Sequence, residues 1–309
     1  MTNSDQFHSG FVLLWGRPNV GKSTLLNAAL GRKVAIVTPK PQTTRNRIAG
    51  VRTTEDAQMI FVDTPGIHPP HDTLGEYMVA TAREALPDAD VVLFLVDASV
   101  PPGPADEQAA RLLASATAPR VLVLNKRDLV APDLLAQRQQ SYEALGSFEQ
   151  TAVISAATGE GVPELLQRVQ ALLPLGPMYF PEGMVSDHPD SFLVAELVRE
   201  QALLKTQQEI PYSLAVVVEE FEPRTEELTY VRAVLYVERE SQKKILIGEG
   251  GSMLREIGKA ARAEAEPLLG KRLYLDLWVK VRPRWRNDES VLARFGYPMP
   301  KKPRKRRSR

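Results

Sequence analysis

The 309-residue sequence contains no cysteine, which excludes disulfides, cysteine-ligated zinc and iron–sulfur clusters and suits the reducing cytosol. It also has no long hydrophobic run, because runs such as residues 91–96 have only the length of a strand. Residues 1–10 are polar and lack the apolar centre of a signal peptide. We therefore expect no disulfide framework, no transmembrane segment and no secretory leader.

The excess of positive charge lies at the C-terminus. The chain has 39 Lys and Arg against 38 Asp and Glu, a net charge of +1. Residues 301–309 hold seven basic residues and no acidic one, so residues 1–300 carry a net charge of −6. Such a segment is too charged to pack, and we predict a disordered basic tail over 301–309. It is either a solubilising end or an arm that binds polyanions, and its charge density favours the arm.

A phosphate-binding loop is the first clear motif, since residues 16–23 fit the pattern G-x-x-x-x-G-K-[ST]. An apolar strand precedes it at 11–15, and a helix predicted from Lys22 to Leu30 follows it. Glycines allow backbone N–H groups to converge on phosphate oxygens, and the lysine adds a cation for the outer phosphates. The predicted nucleotide-binding residues of this loop are Gly16, Arg17, Pro18, Asn19, Val20, Gly21, Lys22, Ser23 and Thr24.

Three further motifs follow in order, the first two directly after apolar strands. They are D-T-P-G at 63–66, N-K-R-D at 125–128 and S-A-A at 155–157. Each is weak alone, because D-x-P-G also forms turns and the others are ordinary loop sequences. Together they point to one site, since ligands bind at the carboxyl ends of strands in open α/β sheets. The predicted nucleotide-binding residues here are Asp63, Thr64, Pro65, Gly66, Ile67, Asn125, Lys126, Asp128, Ser155, Ala156 and Ala157.

The N-K-x-D pattern favours guanine over adenine. Guanine presents its N1–H and its exocyclic amine as adjacent donors, and the Asp128 carboxylate can accept both. A site built around these hydrogen bonds rejects a base that lacks them, because its own polar groups would stay unpaired.

Element patterns divide the chain into two domains. Short apolar strands alternate with amphipathic helices up to about residue 173, which predicts a doubly wound α/β domain over residues 1–175. A proline- and glycine-rich linker is predicted at 176–190, and a second domain at 191–300.

The second domain reads as helix, two strands, two helices and a strand. We predict a helix over 191–208 with Ser191 as its N-cap, and strands over 212–221 and 228–237. The sequence G-x-x-G at 248–251 separates two helices, of which the second runs from residue 252 to about 265. A last strand is predicted over 272–281.

This order resembles the α+β type II KH fold, whose G-x-x-G loop clamps single-stranded nucleic acid. Glu249 fits this loop poorly, and residues 190–300 hold 17 basic against 18 acidic residues. We therefore expect the tail to supply much of the electrostatic affinity. The candidate RNA-binding residues are Lys243, Lys244, Gly248, Gly250, Gly251, Arg255 and Lys259.

A P-loop GTPase domain followed by a KH domain resembles the bacterial Era GTPases. The most specific stretches are residues 16–27, 41–45, 63–66, 125–128 and 247–281. The resemblance implies a GTP-hydrolysing switch that binds GTP or GDP with Mg²⁺ and binds the 3′ region of small-subunit (16S) ribosomal RNA. It implies a role in assembly of the small ribosomal subunit, a cytoplasmic location and a peripheral contact with the inner face of the cell membrane.

The same resemblance suggests how hydrolysis is assisted. It places the magnesium ligands at Ser23, Asp63 and Thr44, with Thr43 as the alternative to Thr44. Ile67 occupies the position of a water-orienting glutamine in Ras-like enzymes, so intrinsic hydrolysis should be slow. Asn19 resembles a residue that binds a monovalent cation, so K⁺ is expected as a second cofactor. The candidate catalytic residues are Lys22, Thr44 and Asn19.

Two other functions stay open at this stage. One is a related GTPase acting on another RNA such as tRNA, although such proteins usually need a C-terminal cysteine. The other is a constitutive RNA-binding protein whose nucleotide is structural. GTP turnover and nucleotide-dependent RNA affinity would distinguish a switch from that second alternative.

Overall fold

The computed structural model describes residues 7–207 and 210–299, which form two domains in extensive contact. The predicted tail at 301–309 lies outside the described residues. The division into domains at 175 and 190 stays a prediction, and the structure has no helix or strand between the described residues 172 and 190.

The first domain is built on a six-stranded sheet in the order β2-β3-β1-β4-β5-β6, parallel except for β2, which is antiparallel to β3. The predicted doubly wound α/β domain is confirmed. Its strands are β1 His8–Trp15, β2 Ile48–Thr53, β3 Ala57–Asp63, β4 Val91–Asp97, β5 Arg120–Asn125 and β6 Gln150–Val153. Its helices are α1 Lys22–Leu30, α2 Thr73–Glu84, α3 Pro104–Leu113, α4 Pro132–Glu143 and α5 Val162–Leu172.

Both faces of this sheet are covered by helices, which explains the unbroken apolar runs of its central strands. Successive residues of β1 alternate between two cores: Val12 and Leu14 lie in one, and Leu13 and Trp15 lie in the other. The motifs at 16–23, 63–66 and 125–128 therefore lie together at the carboxyl ends of β1, β3 and β5.

The second domain has the predicted order of elements and an exposed three-stranded sheet face. The sheet order is β7-β8-β9, with β7 antiparallel and β9 parallel to β8. Helices α6, α8 and α9 bury the other face, and the α+β KH domain is confirmed. The elements are α6 Asp190–Lys205, α7 Ile210–Ser213, β7 Ala215–Pro223, β8 Leu228–Val237, α8 Glu240–Ile247, α9 Ser252–Leu269 and β9 Arg272–Val281.

Three local predictions in this domain are wrong. Ser191 is not the N-cap of α6, because the carbonyl of Pro189 already accepts from the amides of residues 192 and 193. The strand predicted from residue 212 begins at Ala215, after the short helix α7. Helix α9 does not stop near residue 265, since Pro267 removes only one hydrogen bond and the helix continues to the left-handed cap Gly270.

The chain after β9 returns to the first domain. A helical turn at Trp285–Asn287 leads into α10, Glu289–Arg294. Trp285 is fully buried, and together with Leu292 and Tyr297 it packs against Leu74 and Met78 of α2. The two domains therefore share an apolar core at this point, which the sequence patterns did not reveal.

The predicted linker lies along the first domain. The amide of Val51 in the edge strand β2 donates to the carbonyl of Val185 at 2.9 Å, and Gly50 forms an isolated β-bridge with Ser186. The Gln58 side chain accepts a hydrogen bond from the amide of Phe180 at 2.9 Å and donates one to the carbonyl of Phe180 at 2.8 Å. We call residues 176–188 the edge strap.

Candidate functional site

The phosphate loop follows β1 and surrounds the buried side chain of Lys22. Lys22 is 6% exposed, and its Nζ donates to the carbonyls of Gly16 at 3.2 Å and Arg17 at 3.1 Å. Burial lowers the pKa of Lys22 to about 8, a shift that Asp63 opposes. A nearby anion would reverse this shift, because it would favour the ammonium form. The loop borders a cavity of about 410 Å³, with Thr24, Pro39 and Lys126 also on its wall.

Gly66 of the D-T-P-G motif packs directly on the phosphate loop. A Cβ atom at this position would lie 2.4 Å from the backbone nitrogen of Pro18 and 2.6 Å from its Cα. Thr64 ties the same motif to β1, since its hydroxyl donates to the carbonyl of Leu14 at 3.1 Å. Pro65 lies between these two anchored residues. A side chain larger than hydrogen at residue 66 would therefore separate the two motifs.

Three predicted magnesium ligands converge beside this loop. Ser23 Oγ lies 2.6 Å from Asp63 Oδ2 and 2.8 Å from Thr44 Oγ1, and Thr44 Oγ1 lies 3.4 Å from the same carboxylate oxygen. Thr43 points elsewhere, because its hydroxyl bonds to Thr38 and to the carbonyl of Lys40. The structure therefore places Thr44, and not Thr43, beside the other two candidates.

Asp63 has the properties expected of a cation ligand. Its carboxylate is fully buried, and Oδ1 is without a hydrogen-bond partner among the described residues. Burial raises the pKa of Asp63, although Lys22 and the hydroxyl donors oppose the shift. A divalent cation would complete the charge balance, and these oxygen donors suit Mg²⁺.

The base-reading motifs are tied to the phosphate loop by Asn125. Its Nδ2 donates to the carbonyl of Val20 at 2.8 Å, and its Oδ1 accepts from the amide of Ala156 at 2.9 Å. Asp128 is oriented by Ser155, whose hydroxyl donates to Oδ1 at 2.6 Å. Ser155 thus has a side-chain role that the sequence did not indicate. The neighbouring Ala157 is exposed.

Asp97, at the end of β4, is a site residue that the motifs missed. Its Oδ2 accepts from Lys126 Nζ at 2.6 Å and lies 3.8 Å from Arg17 Nη2. Burial alone would raise its pKa, but hydrogen bonds from Lys126 and Ser99 hold the pKa of Asp97 below its ordinary value. Its position at a strand end was the available signal. Arg17 is further held by Asp106, at 3.0 Å.

The environment of Ile67 agrees with its inability to orient water. Ile67 is 1% exposed and belongs to the core that contains Leu13 and Trp15. The adjacent His68 contacts the Gly66 carbonyl at 2.8 Å, and its other ring nitrogen lies 3.0 Å from Gln42 Nε2. This pair joins the two segments that flank the cavity, and the sequence patterns gave no sign of it.

The G-x-x-G loop joins α8 to α9 and exposes its backbone. Gly248, Gly250 and Gly251 all have positive φ, and residues 249 and 250 are exposed. Gly248 has φ 71° and ψ 175°, and a Cβ there would lie 2.8 Å from the amide nitrogen of Met253. The loop can therefore approach a phosphate backbone closely only with glycine at residue 248.

Basic side chains flank this loop on both helices. Lys243 and Lys244 precede it on α8, and Lys259 is exposed one turn beyond Arg255 on α9. Arg255 folds back, with Nη1 donating to the carbonyl of Gly250 at 2.8 Å. The structure thus brings the predicted RNA-binding residues to one end of the domain, although Glu249 stands exposed among them.

Fold and sites together define a P-loop GTPase with a C-terminal KH domain. A family model described as 50S ribosome-binding GTPase matches residues 11–126, and a KH-domain model matches residues 209–286. GTPase Era of Carboxydothermus hydrogenoformans is 50% identical over 292 residues, which are 94% of this chain and 98% of that protein. GTPase Era of Geotalea daltonii is 49% identical with the same coverage, 94% and 98%. The chain belongs to the Era family of GTPases.

Two solved structures are similar over the whole of their chains. Era in complex with MgGDPNP and nucleotides 1506–1542 of 16S ribosomal RNA is 40% identical with a TM-score of 0.91, covering 94% of this chain and 99% of that one. A variant of Aquifex aeolicus Era bound to GDP·AlF4⁻ has the same identity of 40% and TM-score of 0.91, with coverages of 94% and 100%. This protein is thus a GTPase that uses GTP and GDP with Mg²⁺.

Proposed function

We propose that this protein is a GTP-driven switch that binds the 3′ region of 16S ribosomal RNA and assists assembly of the small ribosomal subunit. The observation that carries the proposal is the whole-chain similarity to an Era complex with MgGDPNP and nucleotides of that RNA. The exposed glycine loop with its basic flanks supplies a surface of the required chemistry.

We assign the nucleotide roles from the contacts described above. Lys22 binds the outer phosphates, while Ser23, Thr44 and Asp63 would hold Mg²⁺, whose charge would offset that developing on the transferred phosphoryl group. Asp128 reads the guanine edge and is held by Ser155, while Asn125 ties the N-K-R-D segment to the phosphate loop. Because Thr44 lies on the loop between α1 and β2, loss of the outer phosphate releases this loop.

We further propose that K⁺ assists hydrolysis at Asn19. Its Nδ2 donates to the carbonyl of Pro39 at 3.0 Å, and its side-chain oxygen accepts no hydrogen bond from the described residues. A cation there would stabilise the negative charge that develops in the transition state, and the apolar side chain of Ile67 cannot do this. Hydrolysis should be faster in K⁺ than in matched Na⁺ buffer, and Asn19→Ala should remove the difference. Equal rates of the wild-type protein in both salts would exclude this role.

The decisive test of the proposed function is RNA affinity in the two nucleotide states. Fluorescence anisotropy would compare an RNA with the 3′ sequence of 16S ribosomal RNA and a scrambled RNA, each with a non-hydrolysable GTP analogue and with GDP. A switch should change the affinity for the first RNA by about tenfold or more. Equal affinities in both states would favour a constitutive RNA-binding protein. A tRNA measured in the same way is the third probe, and tighter binding of tRNA than of the 16S sequence would favour the related GTPase.

The basic tail and the membrane are tested separately. If about five of its seven charges meet phosphates, deletion of 301–309 should flatten the plot of log affinity against log salt by roughly three to four units. A peripheral contact with the membrane, also proposed, predicts that full-length protein sediments with anionic vesicles better than residues 1–300. None of the helices within 7–207 and 210–299 is long and apolar enough to cross a bilayer.

A further inference from the structure

The residues on both sides of Thr44 are held by the KH domain. Arg199 of α6 donates from Nη2 to the carbonyl of Thr43 at 2.5 Å. Arg45 reaches the other way, from the first domain, and donates from Nη1 to the carbonyl of Leu214 at 2.6 Å and from Nη2 to that of Pro211 at 3.0 Å. Both arginines are 1% exposed. The peptide that carries the magnesium-ligand candidate is therefore fixed at two points by the neighbouring domain.

The loop that contains Thr44 also packs against apolar residues of the KH domain. Residues 31–47 form no helix or strand, and a loop of this length needs tertiary contacts to hold one conformation. Ile36 is 1% exposed and packs with Val194 and Leu197 of α6 and with Leu273 of β9. The amide of Val37 donates to Glu200 Oε1 at 2.8 Å. The first domain alone would not supply these contacts.

Arg199 is built to hold a peptide group in a fixed orientation. Its guanidinium forms two hydrogen bonds with Glu196 one turn earlier, at 2.8 and 2.5 Å, which lock the planar group on α6. The same Nη2 then fixes the carbonyl of Thr43, and that carbonyl belongs to the peptide group whose nitrogen is Thr44 N. A charge-assisted hydrogen bond from a rigid donor restricts the rotation that would carry the Thr44 hydroxyl away from Ser23.

We propose that Arg199 is a positioning residue for GTP hydrolysis, so that the KH domain completes the magnesium site of the GTPase domain. It acts through the Thr43 carbonyl to set the Thr44 hydroxyl 2.8 Å from Ser23 Oγ. The inference rests on the proposed role of Thr44 as a magnesium ligand. GDP binding needs the phosphate loop and the base motifs but not Thr44, and it is therefore independent of Arg199.

The test compares single-turnover GTP hydrolysis over a series of Mg²⁺ concentrations, together with GDP affinity. Arg199→Gln should lower the hydrolysis rate at subsaturating Mg²⁺ by about tenfold to a hundredfold, the cost of a misplacement near 1 Å. It should raise the Mg²⁺ concentration needed for half-maximal hydrolysis and leave GDP affinity within about twofold. Arg199→Lys retains a charge for Glu196 and should show a smaller defect in the same direction.

The matched control is Arg286→Gln. Arg286 also bridges the domains, since it pairs with Asp72 of the first domain at 2.8 Å and with Glu238 of the second at 2.9 Å, and neither ion pair involves the loop at 31–47. This variant should keep the wild-type magnesium requirement. Equal defects in the Arg199 and Arg286 variants, or an unchanged magnesium requirement in both Arg199 variants, would overturn the positioning role. An unchanged requirement in Thr44→Ala would show that Thr44 is not a magnesium ligand, and the positioning role would fall with it. A raised requirement in Thr44→Ala beside unchanged ones in both Arg199 variants would overturn the positioning role alone.

Discussion

At the scale of single residues, base selection depends on one oriented carboxylate. Asp128 is held by the Ser155 hydroxyl at 2.6 Å, so it is directed before nucleotide arrives. We predict that Asp128→Asn lowers GTP affinity by at least about a hundredfold, because a donor then faces the guanine amine. The same variant should gain affinity for xanthosine triphosphate, which offers an oxygen at that position. Competition binding with both nucleotides measures the exchange, and retention of wild-type GTP affinity would contradict it.

Lys22 gives the nucleotide site a dependence on pH. The pKa of Lys22 is lowered to about 8 by burial, and bound phosphates would raise it again. The complex therefore holds this proton more tightly than the free protein, and binding above pH 8 requires proton uptake. We predict that GDP affinity falls by up to about tenfold per pH unit above 8 and is constant between 7 and the onset of this fall.

Guanosine is the control for that measurement, because it shares the base but has no phosphate. Titration of the base affects both ligands equally, so only the difference between their affinities reports the lysine. Parallel curves for GDP and guanosine between pH 7 and 9 would show that Lys22 does not titrate in this range.

At the scale of elements, the junction of α8 and α9 depends on Gly248. We predict that Gly248→Asp abolishes the preference for the 16S sequence over a scrambled RNA, because a Cβ there meets the first turn of α9. GTP hydrolysis should stay near wild type, since no residue of the loop lines the nucleotide cavity. Filter binding with both RNAs measures the preference.

Gly270→Asp is the matched substitution for that prediction. Gly270 also has a left-handed backbone, with φ 65°, at the other end of α9, but a Cβ there would meet nothing within 4 Å. This variant should therefore keep the RNA preference. A preference that survives in Gly248→Asp, or disappears equally in both variants, would separate RNA recognition from the loop.

Sequence patterns predicted elements well where local signals decide them. The bounds of α1, from Lys22 to Leu30, follow from the phosphate loop and from the left-handed cap at Gly31. Strands β8 and β9 alternate between a buried and an open face and were predicted over their observed ranges. No sequence pattern indicated α10, whose apolar residues pack against the first domain.

Sequence patterns likewise predicted only part of the candidate site. Its motifs were visible because phosphate and base recognition need fixed residue types at fixed spacing. The roles of Arg45 and Arg199 could not be predicted, since a sequence does not distinguish a buried arginine from an exposed one. Asp97 was missed for the same reason, because its partners Arg17 and Lys126 are far from it in the chain.

At the scale of the whole molecule, Ile36 is one of the apolar contacts between the two domains, beside the core around Trp285. It belongs to the first domain but is buried among residues of the second. We predict that Ile36→Ala costs about 2–5 kcal/mol of stability and separates a single calorimetric unfolding transition into two. Val37→Ala, at an exposed neighbour, should leave the transition intact. A single transition in Ile36→Ala, at the wild-type midpoint, would show that the domains are joined elsewhere.

The edge strap has a consequence for the protein in fragments. It covers the outer strand of the six-stranded sheet, so residues 1–175 released alone would present the amide of Val51 and its neighbours as an open template for another strand. We predict that this fragment self-associates, whereas residues 1–189 stay monomeric, which sedimentation velocity would detect. The predicted domain boundary at residue 175 and the end of the smallest monomeric fragment would then be different places in the chain.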